Sequence, residues 1–498
     1  MRRLLIANRG EIAVRVARTA REMGLETVAV YAAADTRALH VRAADRAVPL
    51  GDGPPAETYL SSARLLDAAR QSGADAVHPG YGFLSENAAF ARAVAAAGLT
   101  WVGPPPAAME EMGSKLRARA RMQQAGVPVV PGSSAVGADA RGLAAEAARV
   151  GYPLLVKASA GGGGKGMSRV DRPEDLPAAV EEARRLADAA FGDGTVYFER
   201  LLDGARHVEF QVFGDGAGNV VHLFERECSV QRRHQKIVEE APSPALTPER
   251  REAMGKAAVA AARAVGYVGA GTVEFLVAPD GSFYFLEMNT RLQVEHAITE
   301  ETLGVDLVRA QLDVAAGAPL PEAWRAGRLV PRGHSIELRL YAEDPVDFLP
   351  RSGRVAAWRA PEGPGIRVDA GVEEGSVVGV EYDPLLAKLI VRAEDRAAAI
   401  ARARRAVGAW IVLGVETNLS TLARVLEAPD FQSGRYATDL VAKLPARGGA
   451  GEAPDAAWIA AALAEGELPP VGASREAAAG RTPGADPWET LGEWRLGR

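Results

Sequence analysis

At 498 residues the chain is longer than one hydrophobic core usually serves, and length alone implies two to four domains. A hydrophobic fraction of 48% with 24% charged residues marks a folded, soluble chain and excludes an extensively disordered one. The formal net charge of −6 gives no general attraction for nucleic acid or an anionic membrane, so any phosphate ligand must be held by local cations.

The opening run Leu4-Leu5-Ile6-Ala7 is interrupted by Arg9 and Glu11, too soon for the apolar core of a secretory signal. No run approaches a bilayer span, so the expected location is the cytoplasm. A single cysteine, Cys228, excludes an intrachain disulfide and a multi-cysteine metal site. Only seven of the 58 basic residues are lysines, and Lys115, Lys157, Lys165 and Lys236 all fall in the segments singled out below. A compact ammonium is not interchangeable with a guanidinium at a phosphate.

The first hundred residues read as alternating strands and helices, which implies a parallel sheet. Leu4–Ala7 is a buried strand, Glu11 to Met23 a helix stopped by Gly24, and Thr27–Tyr31, Ala76-Val77 and Thr100–Gly103 are further strands. Pro104-Pro105-Pro106 marks a boundary, and Gly126-Val127-Pro128 and Pro131-Gly132 bracket the entry to a smaller unit reaching about Leu202. That unit holds the strand Pro153–Lys157, a glycine run, a helix over Pro173 to Ala189 and the strand Thr195–Phe198. A larger antiparallel region extends to about Val330, and a third region, His334 to about Leu444, has short strands followed by a helix rich in Ala and Arg. From Arg447 the chain reads as an Ala/Gly/Pro-rich linker or tail with one helical patch around Ala456 to Ala464.

Three segments carry chemistry. In Ala160-Gly161-Gly162-Gly163-Gly164-Lys165-Gly166-Met167, consecutive glycines let backbone amides close over phosphate oxygens. It is not a Walker A loop, because Met167 supplies no hydroxyl for magnesium. A flexible surface loop is the plainer alternative, but Lys157 before it and Lys165 within it favour a lid on a nucleotide. Second, Thr272–Val277 and Phe283–Asn289 flank the turn Pro279-Asp280-Gly281 and form a hairpin that sets Glu274 opposite Glu287. Facing carboxylates repel unless a cation lies between them, and magnesium suits such a pair. If the chain stays extended beyond it, Glu287, Asn289, Arg291, Gln293 and Glu295 share one face, although a solvent-facing strand reads the same way. Third, the loop His78 to Asn87 follows a strand, where ligands often bind and a bare turn is equally plausible. The basic stretch Gln231 to Lys236 is weak by itself, and His207 and Cys228 default to structural roles.

Across residues 1 to 446 the sequence closely resembles the biotin carboxylase family. The resemblance rests on Ile6 to Ala13, His78 to Asn87, the glycine run, Gln231 to Glu240, Glu287-Met288-Asn289-Thr290-Arg291-Leu292-Gln293-Val294-Glu295-His296, and Ala342-Glu343-Asp344-Pro345. It implies an α/β protein with an N-terminal parallel α/β domain at 1–112 and an ATP-grasp core at 113–333. The core carries a mobile glycine-rich lid at about 130–202, and a C-terminal α+β domain at 334–446 and a linker or tail at 447–498 follow.

By the same resemblance, ATP is bound by Lys115, Lys157, Gly163, Gly164, Lys165, Glu199, Leu202, His207, Gln231, His234 and Leu276. Glu274, Glu287 and Asn289 hold magnesium or manganese, and Lys236, Arg291, Gln293 and Val294 form the bicarbonate site. Glu295 is the base toward bicarbonate, and Arg339 stabilises the biotin enolate. The implied reaction is the first half-reaction of an acyl-CoA carboxylase, as in the acetyl-CoA carboxylases of fatty acid biosynthesis. Its implied partners are a biotin carboxyl carrier protein or domain and a carboxyltransferase subunit, with a homodimer as the assembly. No lysine here lies between two methionines, so biotin is expected on another chain or on a domain outside this sequence.

Two departures stand out: Lys165 where family members often have arginine, and Ala297 where proline is usual. The first keeps the lid charge, and the second could shift the loop that carries the base. Another ATP-grasp ligase would share the lid and the metal acids but not Arg291 to His296 together with Arg339. A non-catalytic nucleotide-binding module could lose Glu274, Glu287 or Glu295, and all three are present.

Overall fold

The computed structural model describes residues 1–134, 140–159, 167–232 and 235–445. The first five strands are β1 (Arg3–Ile6), β2 (Glu26–Ala32), β3 (Arg46–Gly51), β4 (Ala76–His78) and β5 (Thr100–Trp101). They form a parallel sheet in the order β3-β2-β1-β4-β5. Strand β1 is a continuous apolar run because both its faces are covered. Leu4 and Ile6 share a core with Ile12 and Val16 of the helix Gly10–Glu22, while Leu5 lies with Val28, Val77 and Leu65 of the helix Ser62–Ser72. Strand order reverses between β1 and β4, and the loops after these two strands interlock there. Asn8 Nδ2 donates to the carbonyls of Pro79 and Tyr81, each at 2.7 Å. Gly80, at φ +63°, permits that approach, since a Cβ would stand 2.8 Å from the Asn8 amide.

A smaller antiparallel unit contains β6 (Leu154–Ala158), β7 (Met167–Val170) and β8 (Val196–Arg200), in the order β7-β6-β8. Its core joins Ala147, Leu154, Val156, Val180 and Phe198 from the sheet and from the helices Ala140–Val150 and Leu176–Phe191. The expected helix over Pro173 to Ala189 opens instead with a single 3-10 turn at Pro173–Asp175. Gly163, Gly164 and Lys165 of the expected lid lie outside the described residues, as do His234 and the segment from Arg447 with its patch at Ala456 to Ala464.

The next strands are β9 (Arg206–Gly214), β10 (Val220–Arg232), β11 (Gln235–Ala241), β12 (Gly269–Val277), β13 (Phe283–Asn289) and β14 (His334–Tyr341). They are followed by β15 (Gly353–Arg354), β16 (Ala357–Arg359), β17 (Ile366–Ala370), β18 (Val377–Val378), β19 (Leu385–Ala393) and β20 (Ile411–Leu413). Eight of them make one antiparallel sheet, β13-β12-β9-β10-β11-β14-β19-β17, and the short strands pair as β15 with β18 and β16 with β20. The boundary expected near 333 therefore runs through a continuous sheet, because β14 pairs with β11 on one side and β19 on the other. Among the described residues no helix is long and apolar enough to cross a membrane.

Glu240 on β11 ties this sheet to the helix Arg396–Ala409. It accepts from Arg396 Nε at 2.7 Å and Nη2 at 2.9 Å, meets His334 Nε2 at 2.6 Å, and takes the Tyr436 hydroxyl. Burial resists the charge, but the bonds from His334 and Arg396 outweigh it and hold the carboxyl at about 2, below its ordinary 4.5. The stability it contributes is complete above the ordinary value and is lost as pH falls toward about 2. Glu240→Gln is thus expected to cost on the order of 3 kcal/mol at neutral pH, at about 1.4 kcal/mol per pKa unit. Urea unfolding at neutral pH and near pH 3 measures this, and the gap between variant and parent should narrow at the lower pH.

Candidate active site

The turn Pro279-Asp280-Gly281 joins β12 to β13 with Phe275 opposite Phe285, and a register shift between Glu274 and Phe275 then brings Glu274 opposite Glu287. The same rung continues across the sheet, since Glu274 pairs with Glu209 on β9 and Glu209 with Arg226 on β10. Three carboxylates and one guanidinium therefore lie side by side, an arrangement that repels itself unless further cations enter. Arg226, fully buried, bonds Glu209 Oε1 at 2.6 Å, Gln211 Oε1 at 2.8 Å and Thr299 Oγ1 at 2.9 Å.

Lys236, from β11, supplies the second cation. Its Nζ lies 2.5 Å from Glu209 Oε2, 2.8 Å from Glu274 Oε1 and 2.8 Å from Glu295 Oε1. The other oxygen of Glu295 accepts from Arg339 Nη2 at 2.9 Å, and Arg339 also pairs with Glu239. Burial resists a charge on Glu295, but Lys236, then Arg339 and Arg226, outweigh it and hold its carboxyl well below the usual range. Glu239 goes the other way: burial pushes it up to about 7 despite Arg339.

The polar row leading to Glu295 reaches this cluster by a route the alternation did not foresee. Strand β13 ends at Asn289, and Glu86, from the loop after β4, takes the Thr290 N–H at 2.9 Å and Arg291 Nε at 3.1 Å. Arg291 folds back onto Gln293 Oε1 at 2.8 Å and Asn289 Oδ1 at 3.1 Å. Gln293 and Asn289 in turn donate to Glu274 Oε1 at 3.0 and 2.9 Å. Glu295 stands immediately before the helix His296–Leu303 without a side-chain cap bond, and Ala297 is that helix's second residue. First-turn N–H groups have no partner within the helix, so alanine and proline are both accommodated there.

The residues expected around the nucleotide fall into two groups. His207 faces Leu276 across β9 and β12, with Nε2 at 2.9 Å from Glu274 Oε2 and Nδ1 at 2.7 Å from the Gln231 amide. On the smaller unit, Lys157 of β6 pairs with Glu199 of β8, which Arg119 also approaches at 3.2 Å, and Leu202 follows that strand. Lys115 begins the helix Lys115–Gln124 and reaches the Ala158 carbonyl at 3.4 Å. Burial lowers its ammonium, opposed by the charge of Glu287.

A hard divalent cation fits the hairpin. Burial first, and then the facing charge of Glu274, push the Glu287 carboxyl up, so Glu287 is an oxygen donor short of positive charge, while Glu274 beside it already meets Lys236 and His207. Sequence reasoning missed Glu209, Arg226 and Glu239, all buried at this cluster. One signal was available: His207, Glu209 and Gln211 alternate with Val208, Phe210 and Val212.

Oxygen donors for a cation, within one sheet of several ammonium and guanidinium groups, suit transfer of a phosphoryl group to a small acidic substrate. The class defined by this sheet and its smaller three-stranded unit is that of the ATP-grasp ligases. The carbamoyl-phosphate synthase L chain ATP-binding domain family matches residues 114–323, and the biotin carboxylase N-terminal and C-terminal domain families match 1–109 and 337–443. Biotin carboxylase of Halalkalibacterium halodurans is 50% identical over 440 residues, covering 88% of this chain and 97% of that one. The mitochondrial methylcrotonoyl-CoA carboxylase subunit alpha of Dictyostelium discoideum is 51% identical over 441 residues, covering 88% of this chain and 63% of its own. Among solved structures, the biotin carboxylase domain dimer of Hydrogenobacter thermophilus 2-oxoglutarate carboxylase, in complex with MgADP, ADP and bicarbonate, superposes with a TM-score of 0.86. It is 44% identical and covers 89% of this chain and 97% of that one. The chain belongs to the biotin carboxylase family and is an ATP-dependent ligase of that class.

Proposed function

We propose that Glu295 deprotonates bicarbonate as its oxygen attacks the γ-phosphorus of ATP, giving carboxyphosphate, and that the carbon dioxide released from it carboxylates biotin on a carrier. The observation that supports this most is the fully buried Glu295 carboxylate, held by Lys236 on one oxygen and Arg339 on the other. A carboxylate held so low is a weak base alone. Lys236 and Arg291 compensate by stabilising the carbonate charge that forms, which lowers the proton affinity of the bound bicarbonate itself. As bicarbonate takes over the Lys236 hydrogen bond, Glu295 Oε1 becomes free to accept the proton. Gln293 and Val294 complete the bicarbonate pocket.

Lys115, Lys157, Glu199, Leu202, His207, Gln231, His234 and Leu276 bind the nucleotide, with Gly163, Gly164 and Lys165 closing over its phosphates. Glu274, Glu287 and Asn289 would hold magnesium or manganese, which when bound neutralises charge on the phosphate oxygens. Phosphate released from carboxyphosphate takes the ureido proton of biotin, while Arg339 pairs with the enolate oxygen. We assign these roles to an N-terminal domain at 1–112, a core at 113–333 and a C-terminal domain at 334–446, in a cytoplasmic homodimer. A biotin carrier and a carboxyltransferase on other chains or domains complete the acyl-CoA reaction. The test is ADP release with and without bicarbonate, beside carboxylation of free biotin by labelled bicarbonate. ATP cleavage indifferent to bicarbonate would remove the reading.

A further inference from the structure

We propose that Lys388 is a positioning residue for bicarbonate deprotonation: from the rung it shares with Arg339, its buried ammonium pins the Val294 carbonyl and so fixes the peptide that carries Glu295. The inference rests on the reading of Glu295 as the base.

Lys388 on β19 lies directly opposite Arg339 on β14. Opposite residues of an antiparallel pair project from the same face, so this rung presents two cations to one strip of chain. Arg339 Nη2 holds Glu295 Oε2 at 2.9 Å, and Lys388 Nζ donates to the Val294 carbonyl at 2.7 Å. The Val294–Glu295 peptide is planar, so fixing its carbonyl orients the unit from which the Glu295 Cα extends. The base is then clamped at both ends, by its carboxylate and by the backbone that bears it. A reacting group displaced by about 1 Å can lose about 100-fold in rate, so such a clamp has a measurable consequence.

Lys388 is 0% exposed, and an ammonium taken wholly out of water is costly unless well paired. Its ion partner is Glu11 at 3.3 Å, on the first helix of the N-terminal sheet. Glu11 also accepts from the Tyr81 hydroxyl, on the loop whose Glu86 holds Thr290 and Arg291. The 290–295 segment is therefore held near its start by Glu86 and near its end by Lys388, and Glu11 joins the two supports. Gly371, after β17, lets the start of that first helix approach, since a Cβ there would lie 2.5 Å from the Glu11 nitrogen. No step of the reaction proposed above uses Lys388.

The test compares the full-length parent enzyme with Lys388→Met, with Lys388→Met/Glu11→Gln and with Glu295→Gln. The double variant removes both charges of the Lys388–Glu11 pair, while burial pushes the nearby Glu337 carboxyl up toward its neutral form and Asp369 keeps Arg367, and so guards against failure to fold. Expected in the folded double variant is a bicarbonate KM at least tenfold higher, an ATP KM within about twofold of the parent, and bicarbonate-dependent ADP release down by about 100-fold. An unchanged bicarbonate KM, or losses that merely follow the folded fraction in thermal melts, would overturn the proposal. Retained bicarbonate-dependent ADP release in Glu295→Gln would remove the base reading and this proposal with it. Loss in Glu295→Gln together with parental kinetics in both Lys388 variants would remove the positioning role alone.

Discussion

Arg339→Ala is expected to cut carboxylation of free biotin by about 100- to 1000-fold, the usual cost of removing one donor to a developing oxyanion. Bicarbonate-dependent ADP release should fall by no more than about tenfold, because ATP is cleaved before the biotin enolate forms. Some loss there is expected, since Arg339 holds Glu295 Oε2 at 2.9 Å; the Lys388 bond to the Val294 carbonyl at 2.7 Å still fixes the peptide that bears the base. The fold should survive the change. Removing the guanidinium strips Glu239 of its ion partner, yet burial already holds that carboxyl at about 7, and protonation relieves the remaining charge. Glu295→Gln differs, because the base acts in the first step and both activities should fall together. Measuring ADP and labelled carboxybiotin in one tube reads the contrast as a ratio. Equal losses in Arg339→Ala would move that arginine to bicarbonate or nucleotide binding.

How much of this site the sequence discloses follows from which contacts are local. The hairpin is legible because a Pro-Asp-Gly turn separates two β-rich runs, but the Glu274–Glu287 pairing depends on a register shift between Glu274 and Phe275 that moves Glu274 from Leu286 to Glu287. Extending the rung to Glu209 and Arg226 needs β9 to pair with β12, strands more than fifty residues apart, and no local pattern encodes that choice. The alternation from His207 to Val212 is visible, but a half-exposed strand reads identically; only the tertiary structure shows Glu209 to be fully buried. The row from Glu287 to Glu295 misleads in a different way. Its residues do converge, but through a turn held by Glu86, and period-2 reasoning cannot anticipate a partner about two hundred residues upstream. Lys388 lies in the apolar stretch Leu385–Ala393, where one lysine reads as an interruption; its meaning comes from the rung it shares with Arg339. The roles proposed for Arg339 and for most of the nucleotide residues come from family resemblance, since no spacing links them; only the glycine run with Lys157 and Lys165 suggests a nucleotide by its own residues.

Glu274→Gln and Glu287→Gln should each remove most metal-dependent turnover, about 100-fold or more, while moving stability in opposite directions. Two carboxylates with substrate phosphates are a usual donor set for magnesium, and either change takes away one charge while keeping shape. Their resting environments differ. Glu274 is bonded by Lys236, His207, Asn289 and Gln293, so its loss leaves buried donors and the Lys236 ammonium poorly matched. That is expected to cost about 1–3 kcal/mol. Glu287 has no salt bridge among the described residues, and burial together with Glu274 pushes its carboxyl up. A neutral amide there relieves like-charge repulsion, so metal-free Glu287→Gln should melt at or above the parent temperature. Thermal melts without metal and ATP cleavage across a magnesium titration separate the two quantities. A Glu287→Gln variant that melts higher yet no longer responds to magnesium would show that the facing acids are kept for the cation at the expense of the fold. Parental turnover in both variants would make the pair structural.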